Sequence, residues 1–220
     1  MLPLRIDNLK INVRMSCYIL RLFQVIVFAL LTLVLPGKSF SQDTLTSTQK
    51  TAIIRKYLTA MCKLDVDAML PYRHEQYTRI ARDGKQSLND LQFERNMTGF
   101  EKSVSTKWTF KIVSLNGDTA TVYETEDSKW YNLIGAGLRT QTIQYILSGN
   151  KLTAYKVITV DNAKGDYRTL VHDFITWLKT TEAKDDKDIF DGEGSLLFSA
   201  KSGEKLTTYL KRWNTTTQHS

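Results

Sequence analysis

The spacing of apolar positions changes along the chain. From Leu22 to Leu35 they run almost unbroken, interrupted only by Gln24 and Thr32. Between Thr48 and Leu64 they fall at helical spacing. Ile53, Ile54, Tyr57, Leu58 and Met61 share one side, which predicts an amphipathic helix capped by Ser47 or Thr48. Asp65 caps a short second helix that buries Val66, Met69 and Leu70 and ends at Pro71. A weak strand from Gln76 to Ala81 stops at Asp83-Gly84. Leu88, Leu91 and Phe93 to Met97 then read as a third helix closed by Gly99.

From Trp108 the period shortens to two. Trp108 to Leu115 and Thr119 to Glu126 are rich in β-branched and aromatic residues, and Asn116-Gly117 between them is a hairpin signal. A second hairpin runs from Thr140 to Leu147, turns at Ser148-Gly149-Asn150, and returns over Leu152 to Val160. Helices followed by strands predict an α+β domain with an antiparallel sheet whose helices cover one face. The connection from Ser128 to Leu138, with Trp130, Tyr131, Gly135 and Gly137, is expected to rim the open face.

Helical spacing then returns. Leu170, Val171, Phe174, Trp177 and Leu178 form a stripe too apolar to stay exposed, so Tyr167 to Leu178 must dock on something. Leu206 to Trp213 predicts a last helix with Tyr209, Leu210 and Trp213 on one side, before a polar tail from Asn214 to Ser220. This extension is expected to plug a pocket, cover the outer face of the sheet, or hold a partner. The implied organisation is a leader over 1–41, a domain over 42–165, and a helical extension with its tail over 166–220.

The leader is read from chemistry as well as pattern. Arg14 and Arg21 precede the apolar run, and Pro36, Gly37 and Ser39-Phe40-Ser41 follow it, which together make a secretory signal cut before Gln42. The competing reading is an uncleaved anchor, since Tyr18 to Leu35 approaches the length of a membrane span, but Arg21 interrupts that window. Cys17 lies before the run, where a lipoprotein cysteine would have to follow it, and Met15 is an alternative start. The expectation is an exported protein, periplasmic or extracellular, with no stable membrane span after cleavage.

Removing the leader changes the charge picture. Of 30 basic and 23 acidic residues, five Lys or Arg and one Asp lie in the leader, so the net charge falls from +7 to near +3. That balance gives no warrant for a nucleic-acid partner or an anionic membrane surface. Cys62 is then the only cysteine, so no internal disulfide forms. Its apolar helical setting reads as a small buried hydrophobe rather than a reactive thiol.

Two segments carry a resemblance. Ile54-Arg55-Lys56-Tyr57-Leu58-Thr59-Ala60-Met61 and Asp65-Val66-Asp67-Ala68-Met69-Leu70, followed by a strand, a helix and two long hairpins, resemble the nuclear transport factor two-like superfamily. That group includes ketosteroid isomerases and SnoaL-like polyketide cyclases. The likeness spans Thr48 to Val160 and lies in order and spacing. It implies a strongly curved antiparallel sheet wrapped around the N-terminal helices as a cone with an apolar pocket, and pairing of two copies through the sheet as a homodimer. It does not imply one function, because the fold hosts enzymes, binding modules and dimerisation domains.

The resemblance permits a test of the isomerase reading. Tyr57 falls where those isomerases carry an oxyanion-hole tyrosine, but the general-base position falls near Ala81 and the protonated aspartate near Ile143. Asp83 would serve as base only through a small insertion. No catalytic residue is therefore assigned.

The candidates for lining a pocket are Tyr57, Met61, Tyr77, Tyr123, Trp130, Tyr145 and Tyr155. His74, Glu75, Glu124 and Glu126 are further polar candidates. His74 reads as a solvated loop residue, and strand alternation forbids Tyr123 and Glu124 from facing one cavity unless a bulge intervenes. The acidic run Asp185, Asp186, Asp188, Asp191 and Glu193 has the wrong register for a calcium loop. There is no HExxH, paired CxxC, phosphate-cradling Gly-rich loop or GxSxG, so no metal or cofactor is expected. The expected function is binding of a small apolar or amphipathic ligand without catalysis. The alternatives are an isomerase-, cyclase- or hydratase-like enzyme and an interaction scaffold. Convergent ionisable groups inside the cone would favour the enzyme, an apolar cavity the binding module, and a filled one the scaffold.

Overall fold

The computed structural model describes residues 45–217, and these belong to one compact unit. The leader, the expected cut before Gln42 and the last three residues of the tail lie outside the described residues. Among the described residues no helix is long and apolar enough to cross a membrane.

The chain opens with α1 (Ser47–Cys62). Its cap is Thr46, one or two residues earlier than the spacing predicts, because Thr46 and Gln49 form a reciprocal capping box: Gln49 N–H donates to Thr46 Oγ1, and Thr46 N–H to Gln49 Oε1. Leu64 closes the helix in the left-handed region, at φ 54°. Asp65 then caps α2 (Val66–Met69) through the Ala68 N–H, as its sequence position predicts, and Pro71 lies in a 3₁₀ turn over Leu70–Tyr72. There follow β1 (Arg73–Ile80), the short β2 (Gln86–Leu88) and α3 (Leu91–Ser103).

Two expectations need correction here. Leu88 belongs to β2 and is exposed, and α3 begins only after its Asp90 cap. The helix also runs through Gly99 to Ser103, because Gly99 is where Ala200 approaches and not where the helix stops.

The two hairpins form as the alternation predicts, with β3 (Lys107–Asn116) and β4 (Thr119–Asp127), then β5 (Arg139–Ser148) and β6 (Lys151–Asn162). The sheet has six strands in the order β2-β1-β6-β5-β4-β3. Neighbours pair antiparallel except β1 and β6, which run parallel, so the sheet is mixed. β2, α3, the first hairpin and β5 separate β1 from β6, and that long connection allows a parallel pairing that hairpin signals do not reveal.

One face of this sheet packs on α1. Ile54, Tyr57 and Leu58 bury against Val122, Ile143, Tyr145, Leu147 and Leu152, the inward set of three strands. A second core lies apart from the first. The segment after β4 forms α4 (Lys129–Leu133), and Trp130, Tyr131 and Ile134 bury with Phe100 of α3 and Val104 directly after it against the C-terminal helices. Those helices are α5 (Tyr167–Leu178) and α6 (Ala200–Thr217). Phe174, Leu178, Leu206 and Leu210 are fully buried there, while Trp177 is half-buried. The extension thus docks on α3 and α4, and the Ser128 to Leu138 connection supplies the surface beneath it instead of rimming an open face. Asn214, expected in the frayed tail, lies in α6 and donates to Leu133 O at 2.7 Å.

Candidate functional site

A cavity of about 190 Å³ lies between α1, α3 and the inner face of the sheet. Strand alternation brings Glu124 to its wall. Ala120, Val122, Glu124 and Glu126 of β4 all point inward, so a strand that begins with apolar inward residues ends with two buried carboxyl groups. Glu124 accepts from Tyr145 Oη and from Gln141 Nε2 at 2.7 Å. Burial pushes its pKa upward, and those two hydrogen bonds oppose the shift. Glu101 of α3 lines the same cavity. Burial and then the charge of Glu126 push it up to about 8.

An ion pair also lines the cavity. Arg73, at the start of β1, makes a bidentate contact with Glu94 of α3 and donates to Tyr57 Oη at 2.8 Å. Its guanidinium also stands over the rings of Tyr57 and Tyr77, at 5.1 and 4.7 Å from their centroids. Asn89 donates to Glu94 as well, at 2.8 Å. Arg73 Nε is buried without a hydrogen-bond partner. Burial raises the Tyr57, Tyr77 and Tyr145 hydroxyls above the usual tyrosine range, so all three remain neutral donors at neutral pH.

The seven sequence candidates separate in space. Tyr57, Met61, Tyr145 and Tyr155 line the cavity. Tyr77 is buried behind Tyr57, to whose hydroxyl it donates at 3.4 Å. Tyr123 is corrected to the outer face, 43% exposed, because Glu124 takes the inward position and no bulge intervenes between them. Trp130 is corrected to the second core, where its Nε1 donates to Tyr167 Oη at 3.0 Å. The isomerase-like positions also diverge. Ile143 lines the cavity as an apolar residue, Ala81 lies on another cleft, and Asp83 sits exposed in a turn beside Lys85.

Arg73, Glu94, Glu101 and Gln141 were missed. Glu94 and Glu101 lie seven residues apart with Met97 and Thr98 between them, a stripe at helical spacing that marks one face of α3. Arg73 has no comparable local signal. The acidic run before α6 has a structural explanation, since Lys205 bridges Asp186 and Asp188 at 2.7 Å and Lys201 reaches Asp188 at 2.9 Å. Among the described residues no cluster of His, Cys, Asp and Glu could hold a metal. Burial, followed by the charge of Glu124, pushes the Cys62 thiol up to about 11, far from a thiolate.

No protein-family model and no curated protein matches the sequence. Among solved structures, the chain is similar to a nuclear transport factor two-like protein of unknown function from Cytophaga hutchinsonii. The identity is 11% over 56% of this chain and 94% of that one, at a TM-score of 0.40. A cystatin-fold protein from Novosphingobium aromaticivorans matches at 14% identity over 50% of this chain and 97% of its own, at a TM-score of 0.41. A candidate polyketide cyclase from Xanthomonas campestris pv. campestris matches at 12% identity over 50% and 89%, at a TM-score of 0.39.

Proposed function

We propose that the chain binds a small amphipathic molecule in the central cavity, its apolar part against Met61, Met97 and Ile143 and its polar end toward Tyr57 and the Glu124–Tyr145 pair. The observation that carries this reading is the cavity wall, which sets thioether and aliphatic side chains beside hydrogen-bonding groups such as Tyr57, Tyr145 and Glu124. At about 190 Å³ the cavity is smaller than the roughly 300–1,000 Å³ of sites for drug-sized ligands, which favours a ligand near one ring in size. Export of the protein remains part of the proposal and rests on the leader. So does pairing through the sheet, whose outer face exposes Val113 and Tyr123.

Acid–base catalysis is the second reading, and the ionisable groups that converge on the cavity, Arg73, Glu94, Glu101 and Glu124, favour it. A carboxyl group held near pKa 8 inside a cavity exchanges its proton close to neutral pH, and Glu124 stands in the same wall. Native mass spectrometry of protein purified from its own host tests binding, with a retained small molecule as the expected result. Replacing Ile143 with Phe should fill the cavity and abolish retention. Retention undiminished in a folded Ile143→Phe protein would place the ligand elsewhere. A 3-oxo-Δ5-steroid should yield no conjugated enone. Enone formation lost in Glu101→Gln or Glu124→Gln would replace the binding reading with the catalytic one.

A further inference from the structure

We propose a second binding site, for a small organic phosphate, in a cleft of about 620 Å³ where the ends of β1 and β6 meet the start of α5. Arg79 from β1, Arg82 from the turn beyond it and Arg168 from the first turn of α5 all line this cleft. None of these three arginines forms an ion pair among the described residues. Two carboxylates share the cleft, and both are engaged. Asp83 contacts Lys85 Nζ at 3.3 Å, and Asp166 caps α5, accepting from Arg168 N–H at 3.3 Å and Thr169 Oγ1 at 2.7 Å.

The strand geometry adds an apolar wall. Val157 pairs with Ile143 and Val160 with Gln141, with one extra residue on β6 between those pairings. Ile143 and Gln141 both face the central cavity, so the bulge turns Val157 and Val160 to that same inner side, where both line the cleft. Asn162 lines it too, and its Nδ2 is buried without a hydrogen-bond partner. Three guanidinium groups from two stretches of chain offer more fixed donors than a carboxylate can use, and suit the three oxygens of a terminal phosphate. The valines would take the organic part.

Isothermal titration calorimetry with inorganic pyrophosphate and glycerol 3-phosphate tests the site. The expected result is saturable one-to-one binding that Arg82→Ala and Arg168→Ala each weaken by about tenfold or more, with circular dichroism unchanged. Lys111→Ala, on the outer face of β3, is the control for net charge and should bind as the parent does. No heat with either probe would overturn the proposal, as would an equal loss in Lys111→Ala. Binding confined to phosphatidylglycerol vesicles, with no response to pyrophosphate, would overturn it in favour of a lipid surface. Ligand retention in the central cavity is read separately through Ile143→Phe, so the failure of one site leaves the other standing.

Discussion

Gly203 of α6 faces Ser103 of α3 so closely that a Cβ on the glycine would lie 2.0 Å from Ser103 Oγ. The serine hydroxyl is itself tied to Phe100 O at 2.7 Å, and the same Cβ would meet the Phe100 ring at 3.0 Å. The C-terminal helix therefore reaches its place on α3 because one position on it has no side chain.

In a helix, Gly→Ala ordinarily gains about 1 kcal/mol. Here overpacking should outweigh that gain, and Gly203→Ala is expected to lower stability by about 1–3 kcal/mol, read as a lower denaturant midpoint. Ser103→Gly in the same protein should recover part of the loss in a double-mutant cycle. A higher midpoint for Gly203→Ala alone would show that the helices separate without cost.

Phe174 is fully buried between Trp130 and Trp213, with ring centroids 6.0 and 5.5 Å away. Phe174→Ala should cost about 3–5 kcal/mol, whereas Phe93→Ala, at a ring 55% exposed, should stay within about 0.5 kcal/mol. Urea unfolding of both variants decides the point. Equal midpoints would mean that the extension contributes nothing to the folded unit.

Arg73 and Glu94 are both largely buried, with side-chain exposures of 7% and 17%. Removing only one partner strands the other charge, so Arg73→Met should destabilise by about 3–5 kcal/mol. The double variant Arg73→Met, Glu94→Leu should recover most of that loss. If the single variant matches the parent in thermal unfolding, the pair is solvated and this reasoning fails.

Glu101 supplies a pH signature. Its folded pKa, about 8, lies above the ordinary 4.5, so the folded state holds the proton that the unfolded state releases. Its contribution to stability is fully present below about 4.5 and is lost as pH rises through about 8. Between pH 5 and 8.5 the parent should therefore lose more stability than Glu101→Gln. Urea midpoints at three pH values measure this difference, and parallel slopes for the two proteins would refute it.

Much of the fold was legible because its signals are local. The capping aspartate at Asp65 and the period-two strands each need only a few neighbouring residues and stand where the pattern placed them, and the Asn116-Gly117 signal marks the first hairpin with its turn one residue later, at Gly117-Asp118. The apolar stripe of α5 likewise announced that it must be buried. The site was less legible. Tyr57, Met61, Tyr145 and Tyr155 reach the cavity from α1, β5 and β6, but an aromatic ring alone does not say which core it joins, so Trp130 went to the second one.

By itself the sequence determined most of the helices and strands, though not β2 or α4, that the class is α+β, and that the C-terminal helices need a surface to cover, since backbone propensity and side-chain periodicity act over one or two turns. The tertiary structure decided the rest. It paired β1 with β6 in parallel and brought Arg73 of β1 to Glu94 of α3. It also enclosed Glu101 and Glu124, from elements far apart in the chain, in one cavity. Their raised pKa values arise from burial, a property of the whole packed arrangement that no local stretch of sequence carries.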